Sequence, residues 1–561
     1  MKLNPTWSCF LFCVAVACGL HWPLPLGLTT HWTPTAYGAT HTWAADHLLS
    51  SLLALENPHW ISDLGYPWIR EARFIGWVPS MVSWPLNPLL GPVGAFQTVV
   101  LLSVGLSGVL AARLILKLTH CAPELASMGG VLFALSPYQL SILQTGEAPK
   151  AQIWVIPMCL LAFHACLEGR KKGTYFVILA AFLTSFTSPY YGLALPLWAG
   201  LIALAAWRRK RVRAACSVLA ATAVGLFPAL LYFRGHPEGG LSFFRPALAP
   251  EDLSSQLPLP HPVASVSDLL LGNTHLSTGM MSTHHQSYLG LGLLLGCLFS
   301  LWATRAQKHE GRNYGYALTA FGLLLAMGPA LALHNHSTAI PLPASLLESI
   351  HYPLEAGGMY YRMVPFAVLG LTILLVSSIQ SVSRASRWLA LLVVIQTADS
   401  IRSTGDWPLP VEALPQHDIL EPTKFPSDGA VLLVPIRAAR NPELAQRSVL
   451  RQLLHGRPET PLPGDLTEPE LHELQRQLNT ALRSPDSADF LRKKGFRFVL
   501  YAPALSLEEH RLERDRLVRA LGEPLLSHGR LIWDLGPTRI HPEPVPDRIR
   551  RANARPEDST P

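Results

Sequence analysis

The sequence predicts an α-helical polytopic membrane protein of about 11 transmembrane helices, followed by a C-terminal extracytoplasmic α/β domain. Three observations predict this fold class. Charged residues make up 15% of the chain, whereas soluble globular domains contain about 25%. The deficit falls on residues 1–404, which carry long apolar runs, while residues 405–561 have an ordinary soluble composition. Basic residues also gather in the short connections between the apolar runs.

Eleven apolar segments are long enough, or nearly so, to cross a membrane. A spanning helix needs about 20 mainly apolar residues to cover about 30 Å of hydrocarbon, where it satisfies its own backbone hydrogen bonds. The segments are 7–28, 93–117, 124–143, 150–168, 174–190, 191–207, 212–233, 287–304, 313–334, 360–380 and 387–404. We expect the first to remain as an uncleaved span, because the residues before Cys18 form a poor lipoprotein cleavage sequence and apolar character resumes through Leu28.

The basic residues of the short connections predict the orientation of the chain. Five turns on one side hold fifteen of them: Arg113, Lys117, Arg170, Lys171, Lys172, Arg208, Arg209, Lys210, Arg211, Arg213, Arg305, Lys308, Arg312, Arg384 and Arg387. The positive-inside rule places these turns and the N-terminus in the cytoplasm, and the C-terminal domain outside. The predicted location is the bacterial cytoplasmic (inner) membrane. The rule also accounts for the formal charge of +7, so no nucleic-acid partner is expected.

The apolar and polar stretches divide the chain into three parts. Residues 1–404 form the transmembrane domain, with outer loops at 29–92, 234–286 and 335–359. In 405–540, strand-like runs at 430–436, 497–502 and 530–534 alternate with helix-like runs at 467–482 and 506–521, which predicts a small α/β domain. The Pro- and charge-rich 541–561 tail is predicted to be disordered.

Asp46 is the candidate catalytic residue. It follows the first span in a segment with helical apolar spacing, flanked by Trp43 and His47. A carboxylate held near the membrane interface can act as a general base toward an acceptor hydroxyl, or ligate a divalent cation. An exposed aspartate is more often a helix cap or a solvated charge, and the residues alone leave both interpretations open. Asp63 and Glu71 share the loop.

Glu147, Lys150 and Arg362 are candidate substrate-binding residues at outer ends of the predicted spans. Glu147 and Lys150 lie in the short turn after the third span, where ionisable groups line a cavity or extend to the interface. Arg362 opens the tenth span, where its guanidinium can clamp a phosphate with two hydrogen bonds or anchor the helix at the interface. The tight 188–192 turn, SPYYG, is interpreted only as a hairpin.

His284, His285 and Tyr288 are further substrate-binding candidates, at the outer mouth of the eighth span. Histidine there suggests metal or phosphate contact. Adjacent histidines do not point together on a helix, however, and the sequence contains no complete set of metal ligands. No metal site is therefore predicted.

Seven short motifs resemble a known group when they are taken in chain order. They are WPLNPLLGP at 84–92, FALSPY at 133–138, GP at 328–329, IPLP at 340–343, YRM at 361–363, HGRP at 455–458 and WDL at 533–535. With the predicted topology, they resemble the C-type (GT-C) glycosyltransferase superfamily of integral membrane proteins, and are similar to uncharacterised bacterial YfhO-like members.

The resemblance implies an enzyme of the glycosyltransferase type, with hexosyl transfer from a lipid-linked sugar. The donor would be a polyprenyl-phosphate-linked sugar in the membrane lipid, and the acceptor, which the sequence leaves unknown, a lipid, glycan or protein on the outer side. Asp46 matches the acidic residue of the first outer loop in that family, although relatives often have Gly-Asp or Asp-Glu where this chain reads Ala45-Asp46-His47. No cofactor is certain, and a divalent cation stays open.

Two other interpretations remain at this point. A lipid or glycan transporter also needs a polar outer cavity, but it usually carries ionisable groups within its spans. A non-catalytic cell-envelope assembly protein would use the C-terminal domain for binding. The position of Asp46 relative to Glu147 and Arg362 is the observation that separates these functions.

Overall fold

A computed structural model describes most of the chain between residues 5 and 544. The described residues are 5–35, 38–61, 68–71, 76–234, 264–271, 287–303, 310–333, 336–349, 360–382, 384–404, 407–414, 429–434, 450, 452, 476–477, 480–482, 484, 486–501, 507–527, 530–538 and 543–544. They form two compact units. The first unit comprises Met1–His41, Ile75–Leu241 and Glu251–Glu412, and the second comprises Thr42–Phe74, Ser242–Pro250 and Ala413–Pro561.

The first unit is built from helices. They are α1 (Pro5–Leu20), the start of α2 (Gly38–Leu53), α3 (Trp77–Ser83), α4 (Asn87–Thr119), α5 (Pro123–Ala134), α6 (Pro137–Thr145), α7 (Ala148–Ala151), α8 (Val155–Leu167), α9 (Gly173–Thr187), α10 (Pro189–Arg208), α11 (Val212–Arg234), α12 (Val266–Leu271), α13 (Leu291–Ala303), α14 (Glu310–Ala326), α15 (Pro343–Ser349), α16 (Val364–Ile379) and α17 (Ala385–Thr404). Short strands β1 (His31–Trp32), β4 (Ala330–Leu333) and β5 (His336–Pro341) lie between them.

The chain is a multi-pass membrane protein. Four described helical stretches are long and apolar enough to cross a membrane: Trp77–Thr119, Pro189–Arg208, Val212–Tyr232 and Tyr360–Ile379. The pair α5 and α6 is apolar enough for a fifth when both helices are counted as one span, but it is bent by 44° at the break before Pro137. A helix occurs in each of the eleven predicted segments, but several are shorter than a full span. The predicted number of eleven spans is therefore not confirmed.

Small residues bring the central helices of the first unit into backbone contact. All residues of α16 except Leu371 are buried, and α14 packs along it. A Cβ added at Gly322 would lie 2.3 Å from the backbone nitrogen of Ala367, and one at Gly370 would lie 2.5 Å from that of Thr319. Close approach through glycine is how membrane helices gain packing energy where lipid removes the hydrophobic driving force between them.

The second unit contains a small α/β sheet. Strand β7 (Ala430–Val434) runs parallel to β8 (Phe496–Tyr501), which pairs antiparallel with β10 (Arg530–Asp534), and β10 pairs antiparallel with β9 (Leu525–Ser527). Helices α18 (Ser487–Lys493) and α19 (Leu507–Leu521) cover a core that includes Leu491, Leu517 and Trp533. Strands and the last helix occur where the sequence predicts them. The remaining strand, β6, is Glu412–Ala413.

A second sheet in this unit joins distant parts of the chain. Strand β2 (Trp60–Ile61) pairs antiparallel with β3 (Trp68–Glu71), and β11 (Glu543–Pro544) pairs parallel with β3. The first two strands come from the first outer loop. The third comes from the tail, where the sequence predicts disorder.

Candidate functional site

The best-defined group of functional side chains is built on the connection between α6 and α8. Gly146 ends α6 in the left-handed conformation, with φ at 74°, and its N–H donates to the Ile142 carbonyl at 3.1 Å. Glycine is favoured there because other residues pay a steric cost at positive φ. Pro149 lies in the first turn of α7, where its missing N–H costs nothing. This local sequence places Glu147 and Lys150 on one short turn.

Glu147 and Lys150 form a buried ion pair. The two residues are 5% and 7% exposed, and the Lys150 ammonium contacts the Glu147 carboxylate. Lys150 Nζ also donates to the Tyr361 hydroxyl at 3.5 Å. Because two charges leave water here, breaking the pair leaves an uncompensated buried charge, which costs far more than losing a surface pair.

Arg362 is the second buried cation. It lies in the short helical turn Tyr360–Met363 that precedes α16, and it is 5% exposed. Its guanidinium carbon lies 3.7 Å from the centroid of the Tyr190 ring. A cation over the face of an aromatic ring is attracted by the ring quadrupole, most strongly where water is excluded. The tyrosine therefore stabilises the charge without neutralising it.

Four tyrosines surround these charges, and we call the whole group the cation cluster: Glu147, Lys150, Arg362, Tyr138, Tyr190, Tyr191 and Tyr361. Tyr191 donates its hydroxyl to the Lys150 carbonyl at 2.7 Å, and the Tyr138 hydroxyl lies 3.2 Å from that of Tyr191. The 188–192 segment, for which the sequence predicts only a hairpin, thus supplies two members. With both cations protonated, the cluster holds two positive charges and one negative charge.

His41, in the first turn of α2, is the neutral base beside the cluster. Burial lowers the pKa of His41 to about 3, and the positive charge of Lys150 adds to the effect. Burial and the neighbouring Arg362 likewise lower the pKa of Lys150. An anion placed beside the two cations would oppose this effect and stabilise protonated Lys150.

The start of α2 packs closely against Gly146, the glycine that precedes the ion pair. Thr35 Oγ1 accepts a hydrogen bond from the Gly38 N–H at 3.0 Å. A Cβ at Gly146 would lie only 2.1 Å from the same oxygen. There is therefore no room for a side chain at position 146, and this contact holds the start of α2 against the turn that carries Glu147 and Lys150.

Asp46 lies later in α2 and is half-buried. Its helix neighbours Trp43 and His47 stack with ring centroids 4.9 Å apart. Asp46 belongs to the second compact unit, whereas Glu147, Lys150 and Arg362 belong to the first. Its catalytic role stays a prediction.

Tyr288 is buried at the start of α13, where the polar partners come from α17. Asp399 accepts a hydrogen bond from the Leu291 N–H at 2.8 Å, and Gln396 accepts one from the Leu293 N–H at 3.1 Å. These contacts satisfy N–H groups that a helix N-terminus leaves without intrahelical partners. The structure places Tyr288 in this region, and His284 and His285 lie outside the described residues. An aspartate inside an apolar run was the available signal for Asp399.

In the part of the chain that the structure describes, no three His, Cys, Asp or Glu side chains come together in a way that could hold a metal ion. The ion pair and Arg362 instead bring two basic side chains and one acidic side chain together in the interior.

The comparisons with known proteins concern the family and the fold. A family model described as "Domain of unknown function (DUF6311)" matches residues 75–401. No curated protein matches the sequence. Among solved structures, arabinofuranosyltransferase AftD from Mycobacteria is 16% identical with a TM-score of 0.51, over 96% of this chain and 40% of AftD. This chain thus spans less than half the length of AftD.

Two further similar structures have lower scores. The archaeal oligosaccharyltransferase AglB from Archaeoglobus fulgidus, solved with an inhibitory peptide and a dolichol-phosphate, is 11% identical, with a TM-score of 0.43 over 92% of this chain and 71% of AglB. ArnT from Cupriavidus metallidurans, bound to undecaprenyl phosphate, is 12% identical, with a TM-score of 0.38 over 94% of this chain and 98% of ArnT. The AftD comparison carries the conclusion that the fold of this chain resembles that of AftD.

Proposed function

The chain belongs to the DUF6311 family, and from that starting point we propose that it is a membrane glycosyltransferase. It takes a sugar from a polyprenyl-phosphate donor and passes it to a lipid, glycan or protein acceptor. The reaction takes place on the outer side of the bacterial cytoplasmic membrane, with the N-terminus in the cytoplasm and the C-terminal domain outside. The observation that supports this most is the cation cluster, buried in a fold similar to that of AftD.

The two buried basic side chains of the cluster, Lys150 and Arg362, are the physical reason for an anionic ligand. Moving a charge out of water costs several kcal/mol, about the scale of the whole stability of a domain. A phosphate beside both side chains would lower this cost. Lys150 then keeps its proton, and Arg362 presents donors in a fork that matches phosphate oxygens.

The proposed step is a displacement at the anomeric carbon of the donor sugar. The acceptor oxygen forms a bond to that carbon, the bond from the carbon to the phosphate oxygen breaks, and polyprenyl phosphate leaves with the electron pair. Asp46 takes the proton of the acceptor hydroxyl. Lys150 and Arg362 offset the charge that develops on the leaving phosphate, which is where preorganised donors lower a barrier most.

Donor binding is tested with undecaprenyl phosphate and the purified full chain, by native mass spectrometry. Arg362→Gln is expected to weaken binding at least about tenfold, since one charge-assisted contact contributes about 1.5–3 kcal/mol. Arg362→Lys, which keeps the charge and loses the fork, should fall in between. Arg387→Gln removes an exposed arginine and serves as the matched control. Equal affinity for all four proteins would contradict the role of the cluster.

Catalysis is tested by complementing a deletion strain and analysing its surface glycans by mass. The deletion should remove one sugar and let the lipid-linked precursor accumulate. Asp46→Asn should reduce transfer about 10²- to 10⁴-fold, the usual contribution of a general base, while undecaprenyl phosphate still binds. Full restoration of the sugar by Asp46→Asn would overturn the assignment of Asp46.

A further inference from the structure

The connection between α9 and α10 carries two buried hydroxyls that make no hydrogen bond. Thr187 is the last residue of α9, and Ser188 follows it directly before α10. Both side chains are completely buried. Neither Thr187 Oγ1 nor Ser188 Oγ has a partner in the part of the chain that the structure describes. Burying a hydroxyl without a partner is costly and uncommon in native proteins, so such a group indicates a ligand. The proposed transfer step leaves both hydroxyls unused.

Ser188 stands at the N-terminus of α10. It is the N-cap residue, in the extended conformation with φ at −149° and ψ at 100°. A serine at this position usually accepts a hydrogen bond from the second or third N–H of its helix. The Ser188 side chain makes no such bond, and the Tyr191 and Gly192 N–H groups donate to its backbone carbonyl instead, at 3.1 Å each. The hydroxyl therefore lies at the start of the helix with its donor unused.

The N-terminus of α10 favours an anion. Pro189 occupies its first position and has no N–H, so the first donor at this end is the Tyr190 N–H, which has no acceptor within the helix. The first turn contains no acidic residue. The partial positive charge of a helix N-terminus and its outward N–H groups attract phosphate. The Ser188 hydroxyl adds a second donor at the same place.

The same segment contacts both basic residues of the cation cluster. The Tyr190 ring centroid lies 3.7 Å from the guanidinium carbon of Arg362. The Tyr191 hydroxyl donates to the Lys150 carbonyl at 2.7 Å. Both tyrosines lie within three residues of Ser188, and all of these residues belong to the first unit. The start of α10 is thus built against the two side chains that are proposed to receive the donor phosphate.

We infer that Ser188 and the N-terminus of α10 form a further part of the phosphate site, beside Arg362 and Lys150. The Ser188 hydroxyl and the Tyr190 N–H donate to oxygens of a phosphate group, which is carried by the polyprenyl lipid or free in solution. Hydrogen bonds to an ionised acceptor are stronger than those between neutral groups. This inference rests on the proposed function and extends its binding site to the 188–192 segment.

The test compares Ser188→Ala with the native full chain in the binding of undecaprenyl phosphate, by native mass spectrometry. Loss of one hydrogen bond to a charged group should weaken binding about tenfold. Ser185→Ala is the matched control, since Ser185 is also buried but donates its hydroxyl to the Ala181 carbonyl at 2.8 Å. It should leave the affinity unchanged. Without ligand, Ser188→Ala should keep or raise the melting temperature, because it removes a buried hydroxyl that has no partner.

Competition by inorganic phosphate at millimolar concentration distinguishes the two sources of the ligand. Together with weaker binding by Ser188→Ala, competition supports a site that accepts phosphate from either source, and its absence supports one that needs the lipid. If Arg362→Gln weakens binding and Ser188→Ala does not, the inferred site is wrong while the proposed donor binding stands. A lower melting temperature with unchanged affinity would make Ser188 a structural cap and overturn the inference. If the native protein binds neither probe, both proposals fail.

Discussion

Lysine and arginine occupy two opposite settings in the first unit. Lys150 and Arg362 are buried, one in an ion pair and the other against an aromatic ring. The basic residues of the 208–213 turn are all exposed. Burying a cation costs several kcal/mol of desolvation free energy, so a buried lysine or arginine needs a partner or a function. An exposed one has little such cost, and its position indicates which side of the membrane its loop faces. The number of basic residues in each loop therefore predicts membrane topology. Their burial in the folded protein indicates which of them belong to a functional site.

Removing the negative member of the buried pair should have the largest effect. Glu147→Gln leaves buried Lys150 without the carboxylate of its ion pair, and the free energy of unfolding should fall by about 3–5 kcal/mol. Unfolding of the detergent-solubilised protein, followed by tryptophan fluorescence in denaturant, measures the change. Undecaprenyl phosphate should restore part of the loss because it replaces the missing charge. A loss below about 1 kcal/mol would mean that water reaches the pair, and the difference between the buried and the exposed basic residues would then disappear.

Substitution of Gly146, the glycine just before the Glu147–Lys150 ion pair, should have the second largest effect on stability. Gly146→Ala combines the cost of positive φ with a clash against Thr35, and it should lower the free energy of unfolding by about 2–4 kcal/mol. Gly169→Ala is the matched control, since it also has positive φ, 71°, but nothing lies within 4 Å of its added Cβ. It should cost only about 1 kcal/mol. Adding Thr35→Gly to Gly146→Ala should recover part of the difference, because the Gly38 backbone nitrogen still lies 2.9 Å from the added Cβ. No recovery at all would mean that the Thr35 side chain is not what excludes a side chain at position 146.

His41 should make the stability of the first unit depend on pH. Its folded pKa, about 3, lies below the unfolded value of about 6.5. The unfolded state then binds more protons between these values, so stability is complete above pH 6.5 and falls as pH decreases through this window, by about 1.4 kcal/mol per unit at most. His41→Asn should flatten the profile measured between pH 6 and 4. His120→Asn, at an exposed histidine, should leave its slope unchanged; the same slope for both variants would contradict the burial of His41.

The exposed ion pair should give the smallest effect. Lys117 and Glu168 are each 34% exposed, and Glu168→Gln should lower the free energy of unfolding by less than about 1 kcal/mol. The difference should also vanish in 0.5 M salt, because solvent ions screen exposed charges. A loss as large as that of Glu147→Gln would show that exposure does not separate the two regions.

Local features of the site could be predicted from the sequence because they depend on neighbours along the chain. Apolar runs predicted where helices occur, and Glu147 and Lys150 are three residues apart, a spacing that pairs charges on a helix. The burial of this pair needed contacts from Tyr191 and Tyr361, which lie 41 and 211 residues from Lys150. Amino-acid composition does not indicate which residues this far apart in sequence come into contact.

Other parts of the fold and the site depend on features that residue types alone do not reveal. Eleven whole spans were expected and this number is not confirmed, because several segments form shorter or bent helices, one of them broken just before Pro137, and mean hydropathy does not detect such a break. The 188–192 turn was interpreted only as a hairpin, yet its Tyr190 ring lies against Arg362 and its Tyr191 hydroxyl donates to the Lys150 carbonyl. Tyr-Tyr at the outer end of two predicted spans was the signal that could have identified it.

The parallel pairing of β11 with β3 imposes an order of events during synthesis. Ile69 pairs with Pro544, so the first strand waits for a partner made roughly 475 residues later, about 25–95 s at ordinary ribosomal rates. Among the strands that the structure describes, β2 is the partner that β3 has throughout that interval, and contacts far apart in sequence form slowly. The membrane helices between them are inserted first. The sheet of the opening loop is therefore among the last parts of the protein to be completed, and a chain that stops before residue 543 never completes it.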